Sequence, residues 1–372
     1  MKKYQKIILV IAVIILLYVI WRYLIRRREV NRLCNKIQLE GARHKHNCKN
    51  IACDNNQMED IEGFGSAESE LAGLKLENAN NIVSLGKDYT HRPLKEYVIK
   101  SSYNSAITGN YVSVDMVKYL LKRGCRLLDF EVLYIDEKPF VTYTTDDKLE
   151  TIKTDNKVLL DNILSAAVSH AFTQPSPNYE DPLFIHLRLK SNSPAIYKSV
   201  AKSIDATLRA KLYPTKVNHH TKLSDIMGKV VIIMDKSINR QYAAESGCGI
   251  KESDCYEITK YINLESGSDL LYQNTYTDIL NQNYDIVHIQ DKCDICTDVK
   301  RYRLVLPDKV NNANNPDVYE LIGKHGCQLV ANRFYIQDTN LDKYEKMFHD
   351  NKSGIIPLSF ALDYVNKREG KN

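Results

Sequence analysis

PLKEYVIKSSYNSAITGN (93–110) and LLKRGCRLLDFEVLYIDEKPFVTYTTD (120–146) carry the pattern on which the fold turns. Tyr97–Ser102, Arg126–Leu133 and Pro139–Tyr143 are short runs rich in β-branched and aromatic residues, which predicts strands. Between the first two, Val114–Lys122 repeats its apolar residues at helical spacing. Working outward, the same alternation recurs. Strands are expected at Leu183–Leu189, Lys229–Met234, Tyr284–Ile289, Tyr302–Leu306 and Gln328–Arg333, and amphipathic helices at Lys157–His170, Ile196–Lys211 and Pro316–Lys324. Short apolar strands separated by helices pair in parallel and are covered on both faces. Eight such strands in a body of about 270 residues fit a (β/α)₈ barrel of TIM type. A doubly wound sheet is the other architecture this alternation permits.

Composition narrows the function classes. The chain has 372 residues, 44% hydrophobic and 26% charged, with only 15 Gly and 10 Pro, which excludes disordered and collagen-like chains. The net charge of +5 is concentrated at one end: residues 1–33 hold eight cations (Lys2, Lys3, Lys6, Arg22, Arg26, Arg27, Arg28, Arg32) against Glu29. The rest of the chain is therefore net acidic and has no electrostatic footprint for nucleic acid.

The basic end brackets IILVIAVIILLYVIW (7–21), continued by Tyr23-Leu24-Ile25. A helix over 7–25 is about 28 Å long, enough to cross a hydrocarbon core. No small-residue cleavage site follows it, as a secretory leader would require. The expectation is a membrane anchor at 1–30 followed by a polar tether at 31–87. Three lysines before the apolar run 7–21 and five arginines after it, one offset by Glu29, place the C-terminal body on the cytosolic side. Nine scattered cysteines, an odd number, favour reduced thiols. His44, His46, Cys48 and Cys53 match no zinc module. Cys248 with Cys255, and the C-x-x-C at Cys293 and Cys296, leave zinc and local disulfides both open.

Four collinear stretches resemble the catalytic barrel of eukaryotic-type phosphoinositide-specific phospholipase C. The opening pair of segments resembles P-L-x-x-Y-x-I-x-S-S-H-N and R-G-C-R-x-x-E-x-D followed by P-x-V-x-H-G-H-T. SDIMGKVVIIMD (224–235) resembles the end of that family's X region. NPDVYELIGKHGCQLVANRF (315–334) resembles its Y region, and KMFHDNKSGIIPLSF (346–360) resembles the strand that ends its barrel. The resemblance implies a distorted TIM-type barrel, with an X-like half at 88–235, a linker at 236–268 and a Y-like half at 269–365. It also implies lipid metabolism and signal transduction as the setting, and phosphoinositide lipids or a protein as partner beside the bilayer itself.

Carried over residue by residue, the resemblance points to an altered site. The family cleaves its phosphodiester with two histidines and a Ca²⁺ held by an Asn and carboxylates. Here the first histidine falls on Tyr103 and the second near Thr145. Asn104, Asp129 and Glu131 keep part of the Ca²⁺ ligand set, but the last carboxylate falls on Arg188. Lysines that grip inositol phosphates fall on Ile233 and Asp235. An unshifted tyrosine, with a pKa near 10, is a poor general base. Arg188 can pair with Asp129 and Glu131 and occupy the metal's electrostatic position. Arg188 and Arg303 are the candidate binding cations. His186, on the same strand face as Arg188, is a candidate replacement acid–base group beside its plainer reading as an interior histidine. The expectation is a membrane-anchored phospholipase C-like barrel whose ancestral hydrolysis is impaired. The alternatives are an active diesterase with a rebuilt site and a structural membrane protein.

Overall fold

The computed structural model describes residues 66–74, 81–247, 256–281, 286–290, 296–308 and 314–370. The expected membrane anchor, the His44–Cys53 group, Cys248, Cys255 and Cys293 lie outside the described residues. Among the described residues no helix is long and apolar enough to cross a membrane.

Among the described residues, eight parallel strands form a nearly closed ring. β1 (Tyr97–Ile99) leads into β2 (Ser101–Ser102), the first strand of the ring. β3 (Leu127–Ile135) follows it, with β4 (Lys138–Val141) paired antiparallel to its far end and β5 (Val158–Leu159) paired to β4. β6 (Leu183–Lys190), β7 (Val230–Asp235) and β8 (Leu264–Ser266) continue the parallel order. β9 (Tyr272–Thr275), β10 (Arg303–Leu306) and β11 (Leu329–Asn332) return to β2. The ring is weakest between β8 and β9, which meet through the single Ser266–Leu271 bridge. β12 (Ile355–Pro357) stays outside the ring and pairs antiparallel with β1, Tyr97 opposite Pro357.

Helices cover the outside: α1 (Ala67–Ala72), α2 (Val114–Lys122), α3 (Leu160–Ala171), α4 (Ala195–Leu208), α5 (Tyr242–Glu245), α6 (Tyr276–Asn281), α7 (Val318–Gly323), α8 (Thr339–Asp350) and α9 (Leu358–Glu369). α2 begins where the Ser113 side chain accepts from the Asp115 N–H, a serine N-cap. The period-2 alternation of the strands divides the core in two. Leu127, Phe184, Val231, Ile233, Leu304 and Leu329 fill the ring's interior over Tyr97 and Ile99. Leu128, Phe130, Ile185, Ile232 and Val305 face the helices.

Five expectations need correction. Pro139–Tyr143 is not a ring strand: Asp136 and Glu137 both take positive φ, 50° and 60°, and this tight turn folds β4 back antiparallel on β3. The described part of Tyr284–Ile289 forms only the Ile289–Thr297 bridge, and β9 fills the place expected for it. The stretch expected as linker supplies a ring strand, β8, because Leu264 and its neighbours pair with β7. The 346–360 segment, expected to end the barrel, instead contributes β12 to the ribbon with β1. Against the expectation of reduced thiols, Cys296 is disulfide-bonded. Cys125 and Cys327 are free and buried, as core residues should be.

Candidate functional site

Strand alternation assembles the site. With Leu127 pointing into the ring, Asp129 and Glu131 point inward too; with Phe184 inside, so do His186 and Arg188. The parallel register of β3 and β6 sets Asp129 beside His186 and Glu131 beside Arg188. All four are buried, at 0% exposure for Asp129 and His186, 1% for Glu131 and 5% for Arg188.

Arg188 organises the group. Its Nε donates to Asp129 Oδ1 at 2.9 Å and its Nη2 to Asp129 Oδ2 at 2.9 Å, a bidentate pair. Nη1 donates to Glu131 Oε2 at 2.5 Å, and Nη2 also to Asn104 Oδ1. The remaining Glu131 oxygen accepts the Thr144 N–H at 2.8 Å and lies 3.0 Å from Lys190 Nζ. Asp129 further accepts the Asn104 N–H at 3.0 Å, with Asn104 held at φ 46°. His186 Nδ1 lies 2.7 Å from Asp129 Oδ1, and its Nε2 lies 2.9 Å from Ser266 Oγ.

The electrostatics follow from this packing. Burial alone would raise the Asp129 pKa, but the Arg188 charge and the hydrogen bonds from His186 and Arg188 hold it below the ordinary carboxylate range. Burial likewise opposes the charge on Arg188, and the charges of Asp129, Tyr103 and Glu131 outweigh it, so the guanidinium stays protonated. Tyr103 caps the group, its ring 4.5 Å from Arg188 Cζ on one side and 5.8 Å from Arg333 Cζ. Burial pushes the Tyr103 hydroxyl up to about 12 despite Arg188 nearby.

Two sequence-selected residues lie elsewhere. Thr145 is exposed; the chain leaves β4 so that the neighbouring Thr144 turns its N–H to Glu131. Arg303 occupies the first position of β10, at the opposite end of the ring from the site, where its Nη1 donates to the His325 carbonyl at 3.1 Å. It lines a cavity of about 270 Å³ with His288, Asp298, Lys300 and Arg301, away from Asp129 and Glu131. Of the family lysine positions, Ile233 is interior core and Asp235 is held by Ser237 and Gln273. Sequence reading did not reach Lys190, Ser266 or Arg333. Lys190 carried a signal, since it follows Arg188 by two residues on the same face; Ser266 and Arg333 reach the site only through the ring's closure.

The residues present do not fit a Ca²⁺ ion. Ca²⁺ takes about six to eight oxygen ligands. Here Asn104 Oδ1, both Asp129 oxygens and one Glu131 oxygen already accept from Arg188, whose own positive charge sits among them. Among the described residues no group of three or more His, Cys, Asp or Glu side chains is placed to hold a metal.

Residues 90–236 match the family model for the phosphatidylinositol-specific phospholipase C X domain. Among solved structures, PLC21 of S. officinalis is 18% identical with a TM-score of 0.52, over 73% of this chain and 38% of that one. PLC21 of L. pealei is 17% identical with a TM-score of 0.52, over 75% and 40%. The calcium-dependent phosphoinositol-specific phospholipase C of a Gram-negative Pseudomonas species is 12% identical with a TM-score of 0.46, over 76% and 100%. No curated protein matches the chain. The likeness therefore spans well under half the length of either PLC21 protein.

Proposed function

The chain carries a phospholipase C-like phosphodiesterase barrel, and from that premise we propose that it is a membrane-anchored module that binds phosphoinositide headgroups without hydrolysing them. The observation that carries this reading is the engagement of Asn104, Asp129 and Glu131 by Arg188. Hydrolysis by attack of a neighbouring hydroxyl needs a base, an acid for the leaving group, and positive charge gathered on the phosphate. Tyr103 keeps its proton at neutral pH, with its hydroxyl pushed up to about 12. Thr145 is exposed and has no acidic proton to offer. His186 stands fully buried between Asp129 and Ser266, with both ring nitrogens engaged. Positive charge near the mouth also includes Lys190, whose side chain is 27% exposed and pairs with Glu131, and the buried Arg333 beside Tyr103. A phosphate-bearing headgroup is the ligand that such charge suits. The apolar run 7–25 supports the anchor, and the positive charges flanking it support a cytosolic barrel.

The test uses the full chain in nanodiscs containing phosphatidylinositol or its 4,5-bisphosphate, with Ca²⁺ or with chelator. Released inositol phosphates and calorimetric binding of a soluble inositol phosphate are measured in parallel. Binding without release is expected. Release that needs Ca²⁺ defeats the reading, and release indifferent to chelator replaces it with an active, rebuilt diesterase. Neither binding nor release leaves a structural membrane protein or a protein-binding one.

A further inference from the structure

The floor of the ring, at the end away from Asp129 and Arg188, gathers a second group of polar side chains. It is built where Leu94–Glu96 enters β1 and where residues 300–302 enter β10. Fully buried Gln328 ties these two entries together. Its Nε2 donates to the Lys95 carbonyl at 2.8 Å and to the Arg301 carbonyl at 3.0 Å, and its Oε1 accepts the Arg303 N–H at 2.9 Å. Two cavities open here, of about 270 Å³ and about 30 Å³, and Lys300 and Arg301 line both.

Charge is out of balance at this floor. Lys95, Lys300, Arg301 and Arg303 line the two cavities, against Asp269 and Asp298 as the carboxylates among the described lining residues. Lys95 Nζ and Arg303 Nη1 donate to the carbonyls of Val299 and His325, at 2.9 and 3.1 Å, which fixes them without neutralising their charge. Asp298 Oδ1 accepts the His288 N–H at 2.7 Å. Arg301 has no carboxylate partner among the described residues, and its Cζ lies 5.0 Å from the centroid of the Tyr272 ring. Stacking on a ring leaves the in-plane N–H donors of a guanidinium to a ligand. Tyr302, only 7% exposed, lines the smaller cavity, and its hydroxyl meets no hydrogen-bond partner among the described residues. Buried hydroxyls are normally paired, so this one marks a place for an acceptor.

We propose that the floor of the barrel is a binding site for a phosphate group, with Arg301 and Lys300 holding its oxygens and the Tyr302 hydroxyl donating to one of them. A phosphate suits the place better than a carboxylate. It brings up to two negative charges to a site with two more cations than carboxylates, and its tetrahedral oxygens accept from donors in several directions. The larger cavity gives room for a small organic group carrying the phosphate. The floor shares no residue with the mouth, so this site stands or falls apart from the functional reading above.

The experiment is calorimetric titration of the full chain in phosphatidylcholine nanodiscs with inorganic phosphate and with glycerol 3-phosphate, at constant ionic strength. Wild type should bind both. Arg301→Gln should weaken binding by about tenfold. Tyr302→Phe should weaken it by about threefold and, without phosphate, raise the melting temperature, because it removes a buried hydroxyl that has nothing to bond. A purely structural tyrosine would not give that pair of effects. Repeating the titration in nanodiscs containing phosphatidic acid identifies the source: a lipid phosphate that reaches the floor competes with glycerol 3-phosphate, and a soluble source leaves its affinity unchanged. Either result upholds the site. Absence of phosphate binding by wild type, or an affinity that neither floor variant weakens, overturns the proposal. So does binding that is lost in Lys190→Gln at the mouth and kept in Arg301→Gln.

Discussion

Asp181 shows how a single side chain sets a pH dependence. It is fully buried at the turn into β6, where its Oδ1 accepts the Leu85 N–H at 3.0 Å. Burial pushes its carboxyl up to about 6, opposed by the charge of Arg126. A folded pKa raised above the unfolded value gives a stability contribution that is complete below about pH 4 and lost as pH rises to about 6. The loss amounts to at most about 3 kcal/mol. Asp129 works in the other direction: its lowered pKa adds stability above about pH 4, lost as pH falls below that. Melting of the full chain between pH 4 and 7 should therefore carry a downward component that Asp181→Asn removes; a variant with the wild-type slope would refute it. At this scale the sequence was legible where alternation governs. The resemblance picked out Asp129, Glu131 and Arg188 and strand alternation added His186 on the face of Arg188, whereas the charge of Arg126 acts on Asp181 only through tertiary packing.

At the scale of elements, α8 is fastened by Glu345. Its Oε1 lies 3.0 Å from Lys100 Nζ and accepts from Arg123 Nε at 3.0 Å, while Oε2 accepts from Arg123 Nη2. All three side chains are at most 7% exposed, so the carboxylate joins α8 to the β1–β2 junction and to the end of α2 in a dry setting. Truncating one member of a buried ionic group costs about 3–5 kcal/mol, because the partners keep their desolvation cost. Glu345→Ala should lower unfolding stability in urea by that amount, and Glu345→Gln by less. A loss under about 1 kcal/mol would show that the cations find water instead. The sequence signals for elements were uneven. Val114–Lys122 has a serine cap and a clear apolar stripe, and the helix spans those residues. The β3–β4 hairpin hid behind Asp136-Glu137, which lacks the glycine that usually marks such a turn. α8 was missed although Asp338 caps it by accepting the Leu341 N–H at 2.8 Å.

For the whole molecule, the ring is closed by partners distant in the chain. β2 pairs with β11, and β1 with β12, so each half of the barrel supplies edges that the other needs. Residues 90–236 alone would expose β2 and β7 as unpaired edges. Expressed alone, that segment should show no cooperative unfolding transition, and co-expression with 256–372 should restore one. An isolated 90–236 segment with a sharp transition would mean the X-like half folds by itself. Sequence reading reached the barrel because strand–helix alternation and four collinear stretches agree. It missed the placement of β8, β9 and β12, whose three or four residues are too few to carry a period.

Arg188 also bears on what the barrel can sense. The occupancy of a bound ion follows its concentration, so a mouth that borrows its charge from Ca²⁺ reports on the cell's calcium level from moment to moment. A guanidinium fixed to β6 between Asp129 and Glu131 has no such variable. The charge that Arg188 brings to this mouth does not vary with the calcium concentration around it.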